Sequence, residues 1–305
     1  TEEGKNFGRG TLLIDIGESG LDAQAFFSKL EEIARFAHVD IHALTTGYTQ
    51  RANLGSTFML PLKTPSIALI VDGGVDSGEA GEIWHLLDQR MQMPVTLLPI
   101  GSVSSSNLDR YSVILMADGS YGQLGQSSAA ALKTWVSKGN TLVAKGGALR
   151  WLAQNEIGNF TFRKVDSEEK GLQKNYADFE NATGAKQTFG AILKSTLDTS
   201  HPIGYGYVSK DLFTFRNDNF FLEPSTNPYA NPLVYTKDPL ASGYLHPSNL
   251  PGVQESAVIR VAGQGRGRIV GFADNPNFRA FWFGTNKLFM NSIFFGQVID
   301  GGTAR

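Results

Sequence analysis

Apolar runs alternate with helical patterns along most of the chain, in an order that predicts a parallel β-sheet. Continuous apolar segments at residues 67–71, 113–117 and 141–144 are typical of strands that are covered on both faces. The segment 126–138 repeats apolar residues at helical spacing, and Gly139 is well placed to end that helix. Strands that alternate with helices of about 10–15 residues favour parallel neighbours joined by right-handed crossovers.

The pattern loosens in the second half of the chain and then becomes regular again. Residues 201–251 are rich in Pro, Asn and Tyr, and we predict a loop-rich cover with short strands over residues 160–255. Apolar runs at 256–261 and 268–273 flank a glycine-rich turn and predict a β-hairpin. A final amphipathic helix is predicted over residues 285–295.

The first part of the chain has its own pattern. Residues 11–16 form a short apolar run and residues 39–44 alternate, so a strand is predicted at each. Between them lies a predicted helix for which Asp22 is the predicted cap. We therefore expect an N-terminal α/β unit over 1–64 and a main domain over 65–305. The predicted fold class is α/β, with a flavodoxin-like or Rossmann-like, mostly parallel sheet and helices on both faces. The N-terminal unit and a C-terminal β-hairpin complete it.

Composition excludes several classes of function. The net charge of −2 over 305 residues gives no reason to expect a nucleic acid or an anionic membrane surface as partner. No apolar run approaches the roughly 18 residues that a membrane span requires. The chain contains no cysteine, which excludes a disulfide framework and a thiolate metal site. The chain begins at Thr1 without an initiator Met, so we expect a fragment or a processed product.

The turn that follows the strand at 141–144 is the most informative feature of the sequence. In α/β hydrolytic folds, a sharp turn between a central strand and a helix presents the catalytic nucleophile. Here the turn carries Gly147 and Ala148, and a cysteine nucleophile is absent from the whole chain. The sequence therefore predicts the architecture of an active site without its reactive atom.

Asp118, Ser120 and Tyr121 follow another predicted strand. Ligands bind at the carboxyl ends of such strands, so these three residues are candidate ligand-binding residues, together with Gly147. Ser120 could also be read as a hydrolase nucleophile. A nucleophile elbow needs Gly two residues before the serine, and that position is Asp118, so ordinary turn chemistry is the favoured interpretation.

Four further candidates lie on the loop-rich segment and after the hairpin. Arg216 and Arg279 could hold an anion, while His201 and Tyr205 could line a groove or, for His201, act as a base for Ser120. The alternative is that these side chains form structural pairs under long loops. The sequence leaves both interpretations open.

Glu82 and His85 have the i, i+3 spacing of a carboxylate–imidazole metal pair on a helix. A metal site needs further ligands that converge from elsewhere, and the chain has only five histidines. A hydrogen-bonded His85 is therefore favoured, and no cofactor is expected within this chain.

Several runs resemble known families. Residues 111–120, 132–144 and 265–279, together with Asn291, resemble the class I glutamine amidotransferase-like superfamily. Residues 79–90, 201–207 and 215–218 are similar to the C-terminal region of long bacterial zinc carboxypeptidases. In those proteins a catalytic metallopeptidase domain comes first, and an amidotransferase-like domain follows it.

The resemblance implies a non-catalytic accessory domain that positions substrate or stabilises the peptidase. It implies that the partner is the chain's own upstream peptidase domain, which would hold zinc, and that peptide or cell-wall material is a ligand. It also implies secretion or a periplasmic location. The chain has no His-x-x-Glu motif, and the nearest approach spans His85 to Asp88. The alternatives are a cryptic serine hydrolase using Ser120 and His201, or a sugar- or peptide-binding module using Tyr205 and Phe215.

Overall fold

The computed structural model describes residues 6–17, 19–48, 53–57, 59–164, 175–184, 188 and 190–304. Internal contacts divide the chain into two units, Thr1–Pro61 and Leu62–Arg305. Within the described ranges, no helix is both long enough and apolar enough to cross a membrane.

The described part of the first unit forms one helix, α1 (Ala23–Ala37). As predicted, Asp22 caps it: its Oδ1 accepts the backbone N–H of Ala25 at 2.9 Å. The predicted strands at 11–16 and 39–44 are wrong, because the structure describes both segments and assigns no strand to either of them. Neither an apolar run nor alternation makes a strand by itself, since the backbone groups of a strand need a paired neighbour.

The described part of the second unit contains the strands β1 (Ile67–Val71), β2 (Val95–Pro99), β3 (Val113–Met116), β4 (Thr141–Lys145), β5 (Phe162–Arg163), β6 (Ala191–Leu197), β7 (Asp211–Arg216), β8 (Phe221–Leu222), β9 (Leu233–Ser242), β10 (Ala257–Gln264) and β11 (Gly267–Phe272). Its helices are α2 (Ser77–Trp84), α3 (Gln126–Ser137), α4 (Gly147–Gln154), α5 (Phe179–Gly184), α6 (Leu250–Val253) and α7 (Asn286–Phe294). Helix α2 continues into a π-helical segment, His85–Arg90.

Five strands form the parallel part of the sheet, in the order β2-β1-β3-β4-β11. The chain leaves β1 through α2 to reach β2 on one side, and it then returns to β3 on the other side. Right-handed crossovers in opposite directions place α2 and α3 on opposite faces of the sheet. The order of strands reverses between β1 and β3, and ligands bind at such reversal points in open α/β sheets. The predicted α/β fold with a flavodoxin-like parallel sheet is confirmed.

The rest of the sheet is antiparallel. Strand β10 pairs with β11 as the predicted hairpin, and β9, β6 and β7 follow in order. Residues 160–255, predicted as a loop-rich cover, thus supply strands that widen the sheet. The pairing of β9 with β6 shifts register twice, and such bulges interrupt the alternation that would mark a strand in the sequence.

The core lies on both faces of the parallel strands. Every residue of β3 and β4 is buried, and large apolar side chains such as Leu69 and Ile114 are fully enclosed. Each such side chain contributes roughly 1.5–3 kcal/mol by leaving water. Trp135 of α3 adds a hydrogen bond from Nε1 to the carbonyl oxygen of Tyr111 at 3.0 Å. This packing fixes the carboxyl ends of the strands relative to one another.

Gly267, at the start of β11, offers a test of this packing. A methyl group there would overlap the carbonyl oxygens of Val136 and Asn140. We expect Gly267→Ala to lower the free energy of unfolding by about 1–3 kcal/mol, measured by urea denaturation. Gly101→Ala is the matched control, because its added methyl meets no atom within 4 Å, and it should change stability by less than about 0.5 kcal/mol. Equal effects of the two substitutions would contradict this account of the packing.

Candidate functional site at the carboxyl edge

The parallel strands β1, β3, β4 and β11 end at one edge of the sheet, and polar loops follow each of them. The loop after β1 crosses to the loop after β3, where Val75 forms an isolated antiparallel bridge with Gly119. The backbone N–H of Ser120 also donates to the carbonyl oxygen of Gly74 at 2.8 Å. The two loops at the reversal point are therefore tied together, and the carbonyl oxygen of Gly119 lies directly against Gly147 in the turn after β4.

The turn after β4 has the shape of a nucleophile elbow. Gly146, between β4 and α4, has φ of 57° and ψ of −126°, a backbone conformation that residues other than glycine rarely adopt. The structure thus places the elbow at Gly146, one residue before the Gly147 expected from the sequence. A side chain at Gly146 would overlap the carboxylate of Asp118. The space that a nucleophile would occupy is filled.

Asp118 fills this space because two backbone amides hold its carboxylate. Its Oδ1 accepts the N–H of Gly119 at 2.7 Å and the N–H of Gly147 at 2.5 Å. Two amides aimed at one oxygen, one of them from the residue after the elbow, are the arrangement of an oxyanion hole. Asp118 and Gly147, both predicted as ligand-binding residues, are bonded to each other instead of facing an open site.

Lys145, the last residue of β4, lies beneath the elbow and forms a buried ion pair with Oε2 of Glu79. Asn275 Nδ2 donates to Oε1 of Glu79 at 3.3 Å and to Oε2 of Glu82 at 2.6 Å. Oε1 of Glu82 accepts the backbone N–H of Arg279 at 2.6 Å. This chain of contacts links α2, β4 and the loop after β11.

Burial governs the charges of this network. It lowers the pKa of Lys145 from its usual value, and the carboxylates of Asp218, Asp76 and Asp274 oppose that change. The carboxylate of Glu79, in direct contact with Nζ, also favours the charged lysine. Burial raises the pKa of Glu82 above its usual value, and the hydrogen bonds from Asn275 and Arg279 only partly oppose that rise. The cavity beside Lys145 has a volume of about 10 Å³, room for about one water molecule, and cannot admit a substrate.

Arg216 lies in a second buried network. Its Nη1 donates to Oδ1 of Asp274 at 2.9 Å and to the hydroxyl of Tyr235 at 3.0 Å. The Tyr235 hydroxyl donates to Oδ2 of Asp274 at 2.5 Å, and Arg216 Nη2 also donates to the carbonyl oxygen of Phe220. Arg216 is fully buried. Its charge is therefore balanced by Asp274, and the guanidinium joins β7 to the loop after β11.

The other predicted residues at this edge have structural contacts. The Tyr121 hydroxyl donates to the carbonyl oxygen of Ala117 at 2.8 Å, and burial raises the pKa of this buried phenol. Ser120 is exposed on the loop. Arg279 has φ of 49°, and its guanidinium lies over the Phe278 ring at 5.2 Å from the centroid.

The structure does not bring His201 and Tyr205 to the carboxyl edge. Asn291 Nδ2 of α7 donates to the carbonyl oxygen of Tyr205 at 2.9 Å, and the Tyr205 ring lies 5.4 Å from that of Phe295. The next residue, Gly296, lies against Thr141 at the amino end of β4. His201 therefore does not join Ser120 in a nucleophile–base pair.

The metal-pair prediction for Glu82 and His85 gains no further ligand from the residues that the structure describes. Glu82 is bonded to Asn275 and to the backbone of Arg279, and His85 begins the π-helical segment. Over the described part of the chain, no three side chains of the metal-binding types converge.

Sequence reasoning missed Lys145, Glu79, Asp218 and Asn275 as members of this site. The available signal was a lysine that ends an otherwise apolar strand directly before a glycine turn. Burial and the charge of Asp118 raise the pKa of Asp218, and the charges of Arg216 and Arg150 oppose that change.

Comparison with known proteins gives a likeness of fold. A ThuA-like protein from Parabacteroides merdae matches with a TM-score of 0.53 and 12% identity, over 77% of this chain and 90% of that one. A second ThuA-like protein, from Bacteroides uniformis, matches with a TM-score of 0.47 and 11% identity, over 82% and 94%. PurLQS from Thermotoga maritima matches with a TM-score of 0.47 and 13% identity, over 75% and 98%.

No protein-family model matches the chain, and no curated protein matches it in sequence. At these identities the likeness extends to the fold and not to activity. The strand order agrees with the flavodoxin-like α/β fold expected from the sequence.

The clash between Asp118 and a side chain at the elbow can be measured by a double-mutant cycle. We expect Gly146→Ala to destabilise the protein, both because φ is positive and because the methyl overlaps Asp118. In an Asp118→Gly background the overlap is gone, so the cost of Gly146→Ala should fall by at least about 1 kcal/mol in urea denaturation. Additive effects would show that Asp118 does not fill the elbow.

The buried His201 is expected to make the stability of the fold sensitive to acid. Burial lowers the pKa of His201 from 6.5 to about 4, with Asp198 opposing the change. Between these values the unfolded chain binds the proton and the folded one does not. Stability should therefore fall as pH drops from 6.5 to 4, by on the order of 3 kcal/mol from this group.

His201→Asn is the variant that tests this account. The Asn side chain can still accept the backbone N–H of Ile203, as Nδ1 of His201 does at 3.1 Å. Urea denaturation at pH 7 and pH 4 should show a smaller loss in this variant than in the wild type. Equal losses would mean that His201 is not the acid-sensitive group.

Proposed function

We propose that this chain is a non-catalytic, amidotransferase-like accessory domain. The observation that carries the proposal is the elbow itself: Gly146 has no side chain, and Asp118 occupies both the space above it and the two amides that would stabilise a reaction intermediate. The chain also contains no cysteine. A site arranged in this way has lost both the nucleophile and the electrostatic partner that acyl transfer needs.

The role that we propose is to position substrate for a zinc metallocarboxypeptidase, or to stabilise that enzyme, as part of the same secreted or periplasmic polypeptide. The support is the resemblance of residues 79–90, 201–207 and 215–218 to the C-terminal region of such enzymes. The peptidase domain would be the partner, it would hold the zinc, and its peptide or cell-wall substrate would be the ligand.

The two alternative functions gain no support from the contacts. A serine hydrolase would need His201 near Ser120. Instead, the segment that directly follows His201 is bonded to α7, because Asn291 Nδ2 donates to the carbonyl oxygens of Ile203 and Tyr205. A sugar- or peptide-binding surface on Tyr205 and Phe215 would need free ring faces. The Phe215 ring is stacked on Phe278 at a centroid distance of 3.6 Å, and Tyr205 lies against Phe295.

The proposal is tested by assays on the purified chain with L-glutamine, p-nitrophenyl acetate and a peptide with a free C-terminus. We expect no hydrolysis above the buffer rate, with or without EDTA, because the elbow holds no nucleophile. Ser120→Ala is the control variant and should behave identically. Turnover that survives EDTA and disappears in Ser120→Ala would establish a serine hydrolase instead.

The accessory role has a separate test. If the proposal is correct, the polypeptide encoded upstream of Thr1 contains a His-x-x-Glu motif and a later zinc-binding histidine. An upstream sequence with a different fold pattern and no such motif would remove the peptidase partner.

A further inference from the structure

A surface groove lies one helical turn beyond the closed elbow. It is lined by Arg150, Gln154, Phe162, Arg163, Asn219 and Phe220, and we call it the Arg150 groove. Its volume is about 510 Å³, within the range of small-ligand sites. The bonds that hold Asp118 in the elbow involve none of these lining residues, so the groove remains available when the elbow is filled.

Aromatic rings hold the guanidinium of Arg150 in place. The guanidinium carbon lies 5.0 Å from the centroid of the Phe220 ring. Phe220 is buried, and its ring meets Phe162 edge to face at 5.5 Å. A guanidinium fixed over a ring presents its N–H edge outwards at a small entropic cost, which favours two parallel bonds to a planar anion.

Within the described ranges of the chain, no hydrogen bond occupies the N–H donors of the Arg150 guanidinium. Its ion-pair partner, Asp218, lies 3.9 Å from Nη2, beyond hydrogen-bonding distance. The Arg150 side chain is 52% exposed.

Arg163, which also lines the groove, differs from Arg150 because its guanidinium is already hydrogen-bonded. Arg163 Nε donates to Oε2 of Glu223 at 2.8 Å, and its Nη1 donates to the carbonyl oxygen of Gln254 at 2.5 Å. Arg163 is therefore a fixed wall whose charge is balanced. The exposed amides of Gln154 and Asn219 add both donors and acceptors at the rim.

We propose that the Arg150 groove binds a ligand that carries a carboxylate next to a planar or aromatic group. Arg150 takes the carboxylate, the planar group contacts Phe162, and the amides of Gln154 and Asn219 bond to neighbouring polar atoms. The C-terminus of a short peptide and a free aromatic acid share this chemistry. The inference rests on the groove alone and not on the accessory role, so either can fail without the other.

Isothermal titration calorimetry of the whole chain tests the proposal with three probes: the peptide Ala-Ala-Phe, its C-terminal amide, and benzoate. We expect the free peptide to bind at least about tenfold more tightly than the amide, since the amide offers no charge to Arg150. If benzoate binds as tightly as the peptide, the ligand is a small acid. If benzoate binds much more weakly than the peptide, the ligand is a peptide C-terminus.

Three variants locate the site. Arg150→Gln should weaken binding of the free peptide by about tenfold or more. The affinity of Arg150→Lys should lie between those of the wild type and Arg150→Gln, because lysine keeps the charge without the planar fork. Arg110→Gln makes the same charge change just before β3, at the amino edge, and should have no effect. Melting temperatures would verify that each variant is folded.

The inference is overturned if the acid and the amide bind equally, if Arg150→Gln and Arg110→Gln behave alike, or if no probe binds at about 10 mM.

Discussion

The bonds from the amides of Gly119 and Gly147 to the carboxylate of Asp118 are the contacts on which the carboxyl edge depends. They satisfy two part-buried backbone donors, and they place the carboxylate where the side chain of residue 146 would be. An enclosed amide without a partner costs about as much as a lost hydrogen bond, so the elbow needs a hydrogen-bond acceptor there. Asp118 supplies it from within the chain.

The same logic extends to the buried ion pairs around the elbow. Lys145 is paired with Glu79, and Arg216 is paired with Asp274 and Tyr235. Each pair joins elements that are distant in sequence, and each buried charge has a partner that offsets its desolvation. An edge whose charged groups bond to one another holds its loops in one arrangement and has little capacity left for a substrate. We therefore expect ligand binding in the neighbouring Arg150 groove, where the half-exposed guanidinium of Arg150 faces solvent.

Local sequence predicts the parallel core well. Strand β1 coincides with the apolar run at 67–71, and the helix predicted over 126–138 is observed as Gln126–Ser137, because periodicity and local capping act within a few residues. The prediction failed where strand formation depends on a partner. Residues 39–44 alternate without forming a strand, whereas β9 pairs despite its bulges. Pairing is a property of two segments and is not readable from one.

For the candidate site, the sequence by itself determined that a strand–turn–helix elbow exists at the end of β4 and that it carries no nucleophile. It also placed Asp118 and Gly147 at the same edge of the sheet, because parallel strands end together. Only the tertiary structure decided that the two are bonded to each other, that Lys145 forms an ion pair with Glu79, and that His201 lies away from this edge. Contacts between residues far apart in sequence arise from the packing of the whole sheet, and no local pattern encodes them.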